Sequence, residues 1–325
     1  MTMRVRIHRG AKEIGGTCIE LESAGSRIVL DIGWPLEVDR KADLPLPSVH
    51  GLATGDDPSL LGVVVSHPHQ DHWGFLPQVH EKVPVFIGEA AHRILDKAAF
   101  FSPAGLELKP AGFLRDQQAF TLGPFTITPY LVDHSAFDSY ALLVEAEGKR
   151  LFYSGDFRAH GRKKSLFTRF LKAPPKGVDV LLLEGTHIRP KSDTVSPVQT
   201  EADVEKEMVK TFRATKGMVL AAFSAQNIDR LVTIYRAAVQ ADRDLIVDLY
   251  TATIANATGN DNIPQPGFKR LKVYVPQSQR VRVKNSREFD RVNAIKSYRV
   301  FPEGLQAMRG QAVMVFRSSL IREIE

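Results

Sequence analysis

The chain has 325 residues, 43% of them apolar, which exceeds one average domain of ~100–200 residues and suffices for real cores. Its single cysteine, Cys18, excludes an intrachain disulfide and fits a reducing compartment; placed between Thr17 and Ile19, it reads as a small buried hydrophobe. A net charge of +6 comes with no apolar run long enough to span a bilayer and no apolar signal-peptide core in residues 1–9, so a cytoplasmic protein without membrane association is expected.

Residues 4–33 read as successive short strands around a Gly15-Gly16 turn, and Asp31 closes the run Ile28-Val29-Leu30. Residues 38–58 are polar and Pro-rich and read as a loop. The apolar run Leu61 to Val65 predicts a buried strand, and six residues that follow it closely read His67-Pro68-His69-Gln70-Asp71-His72. Because His67 and His69 alternate with Pro68 and Gln70, a short extended turn can aim both imidazoles the same way. Asp71 and His72 come one step later and can face a second centre. Imidazole nitrogens and carboxylate oxygens suit zinc, manganese or iron-type cations. The alternative reading, a solvated His-rich loop, does not account for the apolar lead-in.

Residues 73–81 and 89–100 read as helices around a strand at 83–87. Tyr130 to Val132 leads to Asp133-His134, and Leu151-Phe152-Tyr153 leads through Ser154-Gly155 to Asp156. Each polar residue follows an aliphatic or aromatic run, the strand-end position where sheet enzymes commonly place their chemistry. Singly, His134, Asp156 and Asp31 could be ordinary loop, turn or cap residues. Together with the 67–72 cluster they read as metal-site residues, and the cluster builds two adjacent sites more naturally than one. The 189–197 segment is a boundary by composition. Beyond it the period changes: a helix at 201–214, a strand at 218–223, a helix at 227–239 and a strand at 245–250 argue a parallel α/β unit. The division is residues 1–195 and 196–325.

The order Asp31, His67-x-His69-x-Asp71-His72, His134, Asp156 resembles the metallo-β-lactamase fold superfamily. His134-Ser135-Ala136, Tyr153-Ser154-Gly155-Asp156-Phe157, Leu183-Glu184-Gly185-Thr186 and Phe223-Ser224-Ala225-Gln226-Asn227 narrow the likeness to its β-CASP nuclease branch, which holds the ribonuclease J-like and polyadenylation-endonuclease-like enzymes. The resemblance covers most of residues 4–250. It implies an α+β fold: an αββα sandwich followed by an α/β β-CASP-like domain. His67, His69 and His134 would hold one divalent metal; Asp71, His72 and bridging Asp156 would hold a second. Zinc is the first choice, with manganese the alternative. Asp31 would orient a ligand imidazole. Asp71 and Glu184 would be catalytic, and Arg158, Ser224, Asn227 and Arg230 would bind substrate, with Lys163 and Lys164 further candidates for phosphate contacts.

From Gly267 onward, 13 Lys and Arg face 5 acids, an excess of +8 that leaves the rest of the chain at −2. Such a segment suits a polyanion, or is simply a solvated charged face. Tyr274, Phe289, Tyr298 and Phe301 read as core first and as base-stacking surfaces second. The function expected is a phosphodiesterase using a two-metal-activated water on RNA or single-stranded DNA. The alternatives are a small-molecule metallo-hydrolase of a thioester, lactone or lactam, and a catalytically impaired nucleic-acid-binding fragment. The branch's two late histidine motifs have no counterpart, since only His160 and His187 follow Asp156. Truncation at the C-terminus is the favoured explanation; a multi-subunit arrangement, including a homo-oligomer, and a shortened relative stay open.

Overall fold

The structure is a computed structural model, described over residues 2–39, 42–186, 198–317 and 320–321. The 189–197 segment and His187 lie outside the described residues. The chain divides into two compact units: Met1–Asp96, Leu106–Ala159 and Lys163–Ser196 form the first, and Lys97–Gly105, His160–Arg162 and Pro197–Glu325 the second.

Two sheets make up the first unit. One has six strands in chain order: β1 (Arg4–Arg9), β2 (Cys18–Ser23), β3 (Ser26–Leu30), β4 (Leu60–Val64), β5 (Val85–Gly88) and β6 (Gly112–Leu114). The other comprises β7 (Phe120–Leu122), β8 (Phe125–Leu131), β9 (Tyr140–Ala146), β10 (Lys149–Tyr153) and β11 (Val180–Leu182), in the order β11-β10-β9-β8-β7.

The period-two alternation of each strand decides what it covers. Ile28 and Leu30 of β3, Val64 of β4, Leu142 and Val144 of β9 and Leu151 of β10 meet in one core between the sheets. Their neighbours point the other way. Val29 and Val63 join Ile32, Trp73 and Phe75 in a second core beyond the first sheet. Ala141, Leu143 and Phe152 form a third beyond the second sheet. Strands buried on both faces account for the near-continuous apolar runs, and the layering is an αββα sandwich. Cys18 is fully buried, and that burial pushes its thiol up to about 12, so it stays a protonated, unreactive filler.

One expectation fails here. Residues 73–81 are not a helix. A single turn, α1 (Gln70–Trp73), is followed by a 3₁₀ turn at Leu76–Gln78. Gly74 between them packs directly against Trp34, and Pro77 lacks the N–H that a longer helix needs. The next helix, α2 (Glu89–Ala99), falls where the periodicity puts it, and α3 (Lys164–Lys172) lies along the outer face of the second sheet, Phe170 packing on Phe152.

The second unit carries a five-stranded sheet in which every pairing is parallel. Its strands are β12 (Val219–Ala222), β13 (Asp244–Asp248), β14 (Leu271–Tyr274), β15 (Arg299–Val300) and β16 (Ala312–Phe316), in the order β12-β16-β13-β14-β15. Helix α4 (Glu201–Ala214) begins in a capping box between Thr200 and Asp203, and α5 (Ile228–Gln240) is capped by Asn227. Tyr250, expected at a strand end, instead lies in α6 (Leu249–Ala257), because the Asp248 carboxylate accepts from Thr251 N and starts a helix there. Tyr274 is core, whereas Phe289 and Phe301 are exposed.

Candidate metal centre

The site forms where β3, β4, β8 and β10 end. Asp31 follows β3 with φ of 57° and no solvent exposure. Its carboxylate accepts from Ser66 N and Ser66 Oγ, each at 2.7 Å, and from the Tyr153 hydroxyl at 2.5 Å. His72 Nδ1 lies 2.7 Å from the same carboxylate. A carboxylate can only accept, so Nδ1 carries the proton and Nε2 is aimed at Asp156 Oδ1, 3.4 Å away, and Asp71 Oδ2, 3.6 Å away. Burial disfavours a charged His72, but Asp31 and Asp156 outweigh it and hold its pKa well above the ordinary histidine value. Burial also opposes charge on Asp156; His72 overcomes that and lowers its carboxyl to about 2.

The other three histidines behave oppositely. Loss of surrounding water, reinforced by repulsion from neighbouring histidines, depresses His67 and His134 well below the ordinary range; burial lowers His69 too, against the opposing pull of Asp71. All three are therefore neutral at pH 7 with nitrogen lone pairs available. His134 Nε2 and His69 Nδ1 stand 3.0 Å apart, and the His67 ring lies 4.8–5.0 Å from both of theirs. His67 Nε2 is buried with no hydrogen-bond partner. An orphaned buried nitrogen costs about 1–3 kcal/mol and is rare unless something occupies it. A divalent cation fits this donor chemistry.

Two groups of donor atoms each lie within 4.8 Å of one another: His67, His69 and His134, and His67, His72 and Asp156. His67 is common to both. Asp71 stands beside the second group, its Oδ2 3.6 Å from His72 Nε2, and its Cβ packs on Gly15, where an added methyl would come within 2.6 Å. Asp71, His72, Asp156 and Glu184 line a cavity of about 750 Å³ walled by residues 9–15 and 181–186.

Backbone contacts set the 67–73 segment. Ile32 N donates to His72 O at 2.8 Å, Trp34 N to Gln70 O at 3.0 Å, and the Trp73 indole to Pro68 O at 3.0 Å. Gly33 is pressed so close that a Cβ would sit 1.5 Å from Asp71 O. Gly33→Ala should therefore displace the turn, lowering both melting temperature and bound metal. Gly217→Ala, where a methyl meets nothing within 4 Å, should change neither. Metal analysis beside thermal melts checks this.

Other expected site residues have partners of their own. Glu184 Oε1 accepts from Phe157 N at 2.8 Å, and Glu184 N donates to Ser154 Oγ, so this acid secures the Asp156 loop. Arg158 lies against buried Asp133, and the Lys163 ammonium donates to His134 O. In the second unit, Asn227 caps α5, Arg230 grips Glu201 with two nitrogens, and Ser224 Oγ accepts from Gln226 N. Sequence reasoning missed Ser66, Tyr153 and Asp138. Asp138 Oδ2 accepts from Ala90 N and Ala91 N at the start of α2, fixing the His134–Ser139 loop. The one local signal for Tyr153 was a hydroxyl on an otherwise apolar strand, which must find a partner.

An αββα sandwich with histidine and carboxylate donors converging at its strand ends defines a class of metal-site proteins. The chain belongs to the metallo-β-lactamase superfamily: a family profile described as "Beta-lactamase superfamily domain" matches residues 27–223. It is similar to the Ribonuclease J of Helicobacter pylori (strain ATCC 700392 / 26695), 25% identical over 248 residues, which is 73% of this chain and 35% of that one. It is also similar to the Ribonuclease J of Mycobacterium tuberculosis (strain ATCC 25618 / H37Rv), 26% identical over 254 residues, 74% of this chain and 43% of that one. The chain thus spans well under half the length of these curated relatives. A crystal structure of a protein of unknown function from Enterococcus faecalis V583 shares the fold, with a TM-score of 0.78 and 18% identity, covering 99% of this chain and 78% of that one. Among the described residues, no helix is long and apolar enough to cross a membrane.

Proposed function

We propose that the protein is a metal-dependent phosphodiesterase that hydrolyses RNA or single-stranded nucleic acid. The observation that carries this reading is the pair of donor groups meeting at His67 beside an open cavity. The names of the curated relatives support RNA as the substrate class. In this reading residues 1–195 form the metal-binding domain and 196–325 a β-CASP-like domain. His67, His69 and His134 would hold one cation, and His72 and Asp156, with Asp71 adjacent, would hold another. Zinc suits these nitrogen and oxygen donors, with manganese the alternative.

Bound divalent cations supply Lewis acidity and neutralise charge on the phosphodiester. The chain's own residues do the rest. Asp31 fixes the tautomer and aim of His72. Asp156 stays ionised at any working pH. Asp71, facing the cavity, is the carboxylate that orients a water and accepts its proton. Glu184 keeps the Asp156 loop in register.

The test compares single-stranded RNA, duplex RNA, a thioester and a lactone, with metal content measured in parallel. Single-stranded RNA should be cleaved, and a chelator should abolish the activity. Log affinity for RNA should fall with log salt at ~0.7 per phosphate contacted. Turnover of the thioester or lactone with RNA left intact would replace this function with a small-molecule hydrolase.

A further inference from the structure

The two ligand loops leave strands that do not touch. β8 leads to His134 and β10 to Asp156, and β9 separates them in the sheet. Two strand spacings put their ends roughly 10 Å apart. Beyond the strand ends no ladder holds the loops together, yet His134 and Asp156 must face common ground. The contacts that join them involve the residues next to each ligand. Arg158 N donates to Asp133 O at 2.6 Å, and Arg158 Nε lies 3.6 Å from the Oδ1 of Asp133, a fully buried carboxylate. From the residue just before α3, Lys163 Nζ donates to His134 O at 2.8 Å and to Ala136 O at 3.4 Å, and stands 5.8 Å from the centre of the Phe137 ring.

We propose that Arg158 and Lys163 are positioning residues that lock the His134 loop to the Asp156 loop and so set the separation of the two metal positions. The proposal rests on the metal reading above. It gives both cations a task other than touching substrate phosphate. Arg158 fixes Asp133, whose neighbour is His134, while Lys163 fixes the carbonyls on either side of Ser135. Together they hold the imidazole of His134 opposite His69. Partners one step removed from a metal ligand typically change metal affinity 10–100-fold when lost.

The experiment titrates cobalt(II) into the metal-free full chain, following its visible absorption, for wild type, Lys163→Met, Lys163→Arg and Arg158→Gln. Circular dichroism confirms folding in each. Lys163→Met should weaken cobalt at the His67–His69–His134 position at least tenfold and shift its visible band. The event assigned to His72 and Asp156 should keep its affinity. Lys163→Arg, which still donates, should restore the band. Arg158→Gln should show the same selective loss and guards against a Lys163 variant that fails to fold. Wild-type affinity and band in both Lys163→Met and Arg158→Gln would overturn the proposal. So would equal weakening of both events with a lowered melting temperature, the mark of a purely structural role. A change confined to KM for RNA would return these residues to phosphate contact. Wild type that takes up no cobalt would overturn the metal reading itself and the clamp with it, whereas variants that match a cobalt-binding wild type bring down the clamp alone.

Discussion

His67→Ala and His69→Ala should each empty the first metal position and leave the second filled. Both rings belong to the His67, His69 and His134 group, and although His67 also stands near His72 and Asp156, its Nδ1 donates to Ser66 Oγ, so one nitrogen is left for one cation. With either ring gone, the first group keeps two donors, and catalytic cations are ordinarily held by three protein ligands. His72 and Asp156, with Asp71 adjacent, are intact in both variants. Elemental analysis after dialysis should find about half the wild-type metal content in each variant. In chelator the His67→Ala protein should melt near the wild type. It loses the packing of one imidazole, but it also loses an unsatisfied buried nitrogen that costs about 1–3 kcal/mol. Equal metal in wild type and His67→Ala would remove the two-group reading.

Much of this site was legible in the sequence because its ligands are strand-end residues. The run Leu61 to Val65 announces a buried strand, and polar residues directly after such a run emerge at the sheet end. That logic placed His67, His69, His72, His134 and Asp156 in one locus. It did not reveal how they are held. Tyr153 bonds Asp31 across 122 positions, and Asp138 caps α2 across 48, and no local pattern encodes contacts that long. The close packing of Asp71 on Gly15, on the turn between β1 and β2, is another contact of this kind. The fold shows the same divide. Helix α4 was readable from its apolar face, while the Thr200–Asp203 box that starts it emerges in the fold. The 73–81 stretch misled because its apolar residues pack as short turns beneath the first sheet, around Gly74 and Pro77. Arg230 and Arg158 illustrate a further limit. A basic residue near a motif reads as a phosphate contact, and the sequence does not show the acids, Glu201 and Asp133, that lie against these two in the fold.

Asp31→Asn should strongly destabilise the first unit. Four donors converge on the Asp31 carboxylate: Ser66 N, Ser66 Oγ, the Tyr153 hydroxyl and His72 Nδ1. A carboxamide sets its own N–H against at least one of them. Removing one member of a buried charged pair typically costs 3–5 kcal/mol, so a drop of about that size is expected in chelator at pH 6. The pH dependence has a definite sign. Asp31 and Asp156 raise the native pKa of His72 well above its ordinary value, so the native state binds this proton more tightly than the unfolded chain does. The resulting stability is fully present below about 6.5, the unfolded histidine value, and is lost as pH climbs through the raised native value. Asp31→Asn lacks the main source of that stability. The gap between wild type and variant should therefore be widest near pH 6 and narrow by pH 9. Metal should be lost selectively, because His72 Nδ1 no longer has a carboxylate to fix its tautomer, while His67, His69 and His134 keep their places. Denaturant unfolding of both proteins in chelator at the two pH values, with metal analysis in its absence, decides the matter. A gap that is the same at pH 6 and pH 9 would mean that Asp31 holds the backbone of Ser66 and not the charge of His72.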